Sequence, residues 1–450
     1  EKNSSDIEVA YGSINKLTIT DFIHKDLVNF SLADLKRSIA HMSDGLKPSQ
    51  RKVLYACFAR NLTGEMKVAQ LAAYVSEKTS YHHGEVSLAD TIVKLAHSFV
   101  GSNNINILEP CGQFGTRLMG GKDASQPRYI FTKLTKQARQ LYDQKDDAIL
   151  KYLDDDGKTI EPDHFVPVIP TVLVNGTEGI GTGFSCYVPP YNPVDIRENI
   201  YRLLKGDDIV AMKPWFRGFK GIVKADGNGS WTTEGVWATV KQGVIKITEL
   251  PPGRWTQDYK EYLDTLIEKK VIRNYTNNST TEIVDFDVIG YNGSDVVKDL
   301  KLQKVFHTSN MHLFHPVKGI HRYETPEAIL IDFMDIRMEA YKKRKEHMID
   351  VLEKCMKTNM NKAKFVNMVI NDKLVVFKRK KQDLEDEMGA LFDKLNDSFD
   401  YLLHIKTYQY THEAVTALNE EIIQLKNELD TLRRTTLNDM WKIDLKSCVQ

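Results

Sequence analysis

A chain of 450 residues is longer than one ordinary hydrophobic core can organise, so about two or three domains are expected, and 42% hydrophobic residues is the content of a globular protein. A formal net charge of +0 excludes a uniformly basic nucleic-acid coat, so cationic function must reside in local runs such as residues 342–345 and 378–381. The five scattered cysteines, with no C-x-x-C pair, exclude a disulfide framework and a cysteine zinc site and suit a reducing compartment. No apolar run reaches transmembrane length and no hydrophobic signal region opens the chain, so an intracellular, soluble protein without a membrane partner is expected. The missing initiator methionine fits an excised piece of a larger protein.

Leu32, Leu35 and Ile39 fall at helical spacing, which predicts a helix capped by Ser31. The turn Ser43-Asp44-Gly45-Leu46-Lys47 follows, and Pro48 opens a second helix over residues 49–60, giving a helix-turn-helix candidate. Helices are predicted over 68–75 and 87–100, the latter with Leu88, Ile92, Leu95 and Phe99 on one stripe. Between them lie His82 and His83, adjacent in a turn. A metal needs a third ligand, and none stands at usable spacing, so a solvated or capping pair is the commoner reading, phosphate or proton handling comes next, and a metal site is the least favoured.

Residues 112–129 form a glycine-rich basic loop that carries Arg117, Lys122 and Arg128 and ends in Tyr129. Its glycines allow close backbone approach to an anion, and an arginine fork suits phosphate oxygens. A tyrosine beside such an arginine is well placed to attack a phosphodiester, although on these residues alone a packing tyrosine is the commoner reading. Asp154, Asp155 and Asp156 precede Gly157 and read as a turn, not a magnesium cluster. The β-branched run 166–174 reads as a strand leading into a second glycine-rich loop, 175–183. That loop fails as a dinucleotide fingerprint because Pro189 and Pro190 follow where a helix should open. It presents Ile180 between glycines, where an exposed apolar side chain can wedge between base steps and a buried one is the commoner case.

A helix over 196–204 gives way to short strands near 219–223, 235–240, 243–249 and 283–288, with a helix over 259–269, an α+β insert without a catalytic signature. The last third returns to helix. Ile329, Phe333, Ile336 and Ala340 line one face, and Leu418, Ile422, Leu425, Leu429 and Leu432 hold a heptad stripe, so an antiparallel coiled coil with a helical head over 371–401 is expected.

Phe30-Ser31-Leu32-Ala33-Asp34-Leu35-Lys36-Arg37-Ser38-Ile39, Asp44-Gly45-Leu46-Lys47-Pro48-Ser49-Gln50-Arg51-Lys52-Val53-Leu54, Ser80-Tyr81-His82-His83-Gly84-Glu85, the 112–129 loop and the 174–183 segment together resemble the eukaryotic-type DNA topoisomerase II family, type IIA enzymes. The resemblance covers essentially the whole chain and is weakest over 215–308 and 371–399. It implies a multidomain, mainly α protein with α+β parts: a linker (1–29) from a preceding metal-binding domain, a winged-helix domain (30–168), an α+β tower (169–320), and a coiled coil with a C-terminal dimer gate (321–450). By the same resemblance Tyr129 is the nucleophile that forms a reversible 5'-phosphotyrosine link, Arg128 clamps the transition state and His83 attends the scissile strand. Arg37, Lys47, Arg51, His82 and Lys122 would contact double-stranded DNA, and Ile180 would intercalate.

Two copies in a homodimer would make a double-strand break for ATP-dependent strand passage. The Mg²⁺ site and the ATP site are expected in domains outside this sequence, so the piece alone should cleave poorly. Gln126 interrupts the family's usual small-residue run, and Phe184 replaces a common tryptophan. These departures and the compact coiled-coil region are consistent with a divergent member or a homologue from a large DNA virus, nuclear if cellular and cytoplasmic if viral. The competing reading is a non-enzymatic dimeric DNA-binding scaffold.

Overall fold

The computed structural model describes residues 17–448 apart from Asn396. Residues 1–16 of the expected linker lie outside the described residues. The chain forms two compact units, residues 1–337 with 444–450, and residues 338–443.

The first unit opens with α1 (Ile19–Asp21), a π-helical stretch (Phe22–Leu27) and α2 (Val28–Ser38) in uninterrupted succession. Thr18 is the N-cap, its Oγ1 accepting from Asp21 N at 3.0 Å. This corrects the cap expected at Ser31, which lies inside α2, because the preceding residues already hold helical dihedrals. Pro48 does open α3 (Pro48–Ala59), as its fixed φ favours. Then come β1 (Met66–Lys67), α4 (Val68–Lys78), α5 (Glu85–Ala96), β2 (Leu108–Cys111) and β3 (Phe131–Leu134), with the three strands ordered β1-β3-β2. Helices and sheet share one core, in which Val53, Leu71, Val75, Leu88, Ile92 and Ile130 are buried. The residue just after Tyr129 is therefore a core residue.

After α6 (Lys136–Leu141), the strands β4 (Tyr152–Asp155) and β5 (Lys158–Pro162) form a hairpin, with Asp156 and Gly157 at positive φ in its turn and Asp154 Oδ1 accepting from Gly157 N at 3.0 Å. The apolar run 166–174 is not a strand. It is a buried irregular segment ending in α7 (Thr171–Asn175), because prolines at 167 and 170 cannot sustain a ladder. Buried Asn104 Nδ2 donates to its Val174 carbonyl (2.9 Å) and ties it to the oxygens of Tyr191 (3.2 Å) and Trp215 (3.1 Å). The segment leads into the hairpin of β6 (Thr177–Gly181) and β7 (Phe184–Val188), followed by α8 (Pro193–Lys205).

Within the same unit, β8 (Ile222–Gly227) to β14 (Gln303–His307) build two further sheets. The order β14-β9-β8 uses β9 (Ser230–Glu234). The order β10-β11-β13-β12 uses β10 (Val236–Lys241), β11 (Val244–Glu249), β12 (Asn274–Asn277) and β13 (Phe286–Ile289). Helices α9 (Thr256–Glu268) and α10 (Val296–Asp299) accompany them, around a second core that includes Ile247, Tyr259, Leu263, Phe286 and Leu300. A hairpin of β15 (Met311–His315) and β16 (Gly319–Tyr323) precedes α11 (Pro326–Ile370), which continues into the second unit.

In that second unit α11 runs antiparallel to α14 (His412–Arg434). Lys345 Nζ donates to the carbonyls of Arg433 (3.0 Å) and Thr435 (2.7 Å), and Asn359 Nδ2 donates to Glu421 Oε2 at 3.0 Å. The heptad residues face inward: Leu429 is buried and Leu418, Ile422, Leu425 and Leu432 are partly so, while Glu420, Glu421, Lys426, Glu428 and Arg433 are exposed. Between the long helices, α12 (Lys381–Gly389) and α13 (Asp400–Leu403) close a small core with Phe365, Leu374, Met388 and Phe392. The chain then reaches α15 (Leu437–Cys448).

Candidate active site and nucleic-acid interface

The first four N–H groups of a helix lack partners within it. Two of those of α4 are satisfied by the turn that carries the tyrosine: Val68 N donates to Ile130 O at 3.0 Å and Ala69 N to Pro127 O at 3.1 Å. Tyr129 N closes the turn onto Gln126 O at 2.9 Å. Tyr129 is thus held between a core residue and a helix start, with its ring 66% exposed. The Arg128 guanidinium lies 4.9 Å from the ring centroid, a cation–π distance that keeps the positive charge beside the phenol. Upstream, Asp123 staples the loop, accepting from Thr116 N at 2.8 Å and Thr116 Oγ1 at 2.6 Å. Lys122 is exposed beside it.

A cleft of about 660 Å³ opens between α4, α5 and the loop, lined in part by Ala69, Val86, Asp90, His97 and Pro127. His97 Nε2 has no partner there, and burial pushes the His97 imidazole below its usual range, against a hydrogen bond with the Phe114 backbone.

The expected DNA contacts divide. Exposed Arg37 is held by Asp34 (Nη2 to Oδ1, 2.9 Å), and the other oxygen of Asp34 accepts from Thr182 N (2.9 Å) and Oγ1 (3.0 Å). Asp34, given no role in the sequence reading, ties both Arg37 and the hairpin residue Thr182 to α2. Ile180 itself is 86% exposed, which replaces the buried-loop alternative. Lys47 is half-buried. Burial lowers the pKa of its ammonium against the charge of Glu178, and its Nζ would lie 3.6 Å from a Cβ at Gly179 in β6 of this hairpin.

Arg51, expected to contact DNA, is only 6% exposed and forks onto Asp44 (Nε to Oδ2, 2.8 Å; Nη2 to Oδ1, 3.1 Å) and Leu46 O (2.9 Å), so its guanidinium is engaged by the fold. Arg117, whose charge the sequence assigned to phosphate binding, is likewise 4% exposed and paired with Glu249.

The two histidines separate, as adjacent turn residues do. His82 Nε2 stands 3.4 Å from Asp155 Oδ2, and the His83 ring meets Tyr81 edge-on at 5.4 Å. Among the described residues His83 and Tyr129 share no hydrogen bond.

The family model for the A-type subunit of DNA gyrase/topoisomerase IV matches residues 37–446. The chain belongs to that family. It is 40% identical to the DNA topoisomerase 2 of Plasmodium falciparum over 476 residues, which covers 96% of this chain and 34% of that protein. It is also 40% identical to the DNA topoisomerase 2 of Arabidopsis thaliana, covering 96% of this chain and 33% of that one. The chain therefore spans about a third of the length of these curated relatives. Among solved structures it is similar to the DNA-binding, cleavage and re-ligation domain of Plasmodium falciparum topoisomerase II, with a TM-score of 0.90 and 41% identity over 96% of this chain and 64% of that one. The multidomain class, mainly α with α+β parts and a long antiparallel helix pair, is the class of this gyrase/topoisomerase family member.

Proposed function

We propose that this chain is the DNA-binding, cleavage and re-ligation core of a type IIA DNA topoisomerase. The observation that carries the reading is Tyr129: an exposed phenol, fixed between a helix start and a core residue, with a guanidinium stacked on it. In the reaction, Tyr129 Oη attacks a DNA phosphorus, the P–O3' bond breaks, and the phenolic proton leaves to a base or water while the 3' oxygen gains one. A phenol with a pKa of about 10 needs nearby positive charge for this, and Arg128 and Lys122 supply it. Re-ligation is the reverse displacement. His83 and His82 flank the scissile strand, and Arg37 and Lys47 hold phosphates. Residues 30–168, 169–320 and 321–450 form the winged-helix, tower and coiled-coil parts, and a dyad-related second copy brings the second tyrosine.

Among the described residues no group of three or more His, Cys, Asp or Glu is placed to hold a metal ion, so these residues do not fit the Mg²⁺ the family uses. The resemblance puts Mg²⁺ and ATP in domains outside this sequence. Trapping DNA on Tyr129 with denaturant, in the full-length protein, tests the reading; a protein that binds DNA with no covalent product is the scaffold instead.

Two further outcomes are expected. Ile180→Ala reduces DNA bending, read by fluorescence energy transfer between labelled duplex ends, with less than about a threefold change in affinity, because the wedge deforms DNA while phosphates set affinity. Bending equal to the parent would remove the wedge role. Arg37→Ala lowers the slope of log affinity against log salt by about one and weakens all sequences alike; an unchanged slope would show that Arg37 neutralises no phosphate.

A further inference from the structure

The tyrosine loop is gripped at both ends by helix starts that belong to different cores. At its far end α4, from the first core, takes the carbonyls of Pro127 and Ile130. At its near end α9, from the second core, does the same: Gln257 N donates to Leu118 O at 2.9 Å and Thr256 N to Arg117 O at 3.5 Å. Beside that grip Arg117 is only 4% exposed, donating to the Glu249 carboxylate and to Leu250 O at 3.0 Å. Glu249 ends β11 and is also buried, and its oxygens further accept from Leu250 N (2.9 Å) and Lys220 N (3.2 Å).

The middle of the loop is seated just as closely. A Cβ at Gly120 would stand 2.2 Å from Trp255, and one at Gly121 2.4 Å from His97. Trp255 in turn meets Phe99 edge-on at 5.7 Å. None of these residues is needed to touch DNA. What they do is make the loop a strap between the α4/α5 core and the β11/α9 corner.

We infer that Arg117 and Glu249 are positioning residues that couple the β11/α9 corner to Tyr129, so that a shift of this corner as DNA is bent moves the tyrosine toward or away from in-line attack. The inference rests on the cleavage reading of Tyr129. A buried ion pair whose guanidinium also donates to the Leu250 carbonyl is stiff, and an attacking oxygen misplaced by about 1 Å can cost about a hundredfold in rate. A corner tied this way transmits displacement; an untied one would let DNA bend without moving the nucleophile.

The test uses the full-length protein. Arg117→Met/Glu249→Gln removes the pair without stranding a buried charge, and the new amide oxygen still faces the Leu250 N–H. Expected are a Tm and a DNA Kd near the parent, but covalent-complex formation at saturating DNA slower by about ten- to a hundredfold. Arg117→Lys, which keeps the charge and loses the guanidinium's reach to both Glu249 and Leu250 O, should recover part of that rate and serves as the readout should the double variant unfold. In combination with Ile180→Ala the losses should be less than additive, since both act through the same bend.

A folded double variant, or a folded Arg117→Lys, that forms the complex at the parental saturated rate overturns the inference, as does a defect that vanishes at saturating DNA. If the parent itself forms no covalent complex, the reading of Tyr129 fails instead. Amide hydrogen exchange over residues 112–130 then decides the strap alone: faster exchange in the double variant supports it, and unchanged exchange overturns it.

Discussion

Tyr129→Phe in the full-length protein is expected to abolish the covalent DNA complex, a loss on the order of a thousandfold or more, while DNA binding stays within about twofold of the parent. The hydroxyl is the only group removed. The ring stays under Arg128, and the turn stays pinned by Val68 N, Ala69 N and the buried Ile130, since none of those bonds uses the phenolic oxygen. The measurement is denaturant trapping with Mg²⁺ and labelled duplex, followed by recovery of the DNA-linked peptide. A covalent complex that persists in the Phe variant would mean that another nucleophile operates, and the functional proposal would fall with it.

The second large effect is on stability. Arg51→Ala leaves the Asp44 carboxylate buried without its cation, and breaking such a pair costs about 3–5 kcal/mol, to be read as a shift in the urea midpoint. Burial raises the pKa of the Asp44 carboxyl, but the charge and hydrogen bonds of Arg51, helped by the Phe165 N–H, hold it below the ordinary carboxylate range. Its folded pKa is thus lower than its unfolded one. The stabilisation it gives is complete above the unfolded value of about 3.9 and is lost as pH falls through the folded value, so the gap between parent and variant should narrow in strong acid. A variant of parental stability that has instead lost DNA affinity would restore Arg51 to the phosphate-binding set.

Arg51 and Arg117 also show what a sequence conceals. Both lie in basic, glycine-containing stretches, and charge in such a stretch reads as phosphate binding. Arg51 is claimed by Asp44, seven residues earlier, and Arg117 by Glu249, 132 residues later. The first pairing shows only once burial is known, and no local pattern can announce a partner 132 residues away. Periodicity, by contrast, is local, so the α5 stripe of Leu88, Ile92 and Leu95 and the heptads of α14 were legible. The run 166–174 misled because β-branched residues signal burial as well as strand, and Pro167 and Pro170 decided between them. Tyr129 and Ile180 were legible as candidates; their exposure, which separates them from packing residues, is a tertiary property.

The bonds from Val68 and Ala69 to the carbonyls on either side of Tyr129 have a thermodynamic consequence. In the proposed reaction these bonds let the turn move only as a unit, so within it only the Tyr129 side-chain torsions remain to be ordered when the phenolic oxygen reaches phosphorus. On that reading, sealing the strand needs no rearrangement within the turn, so the frame that opens the duplex is the one that closes it.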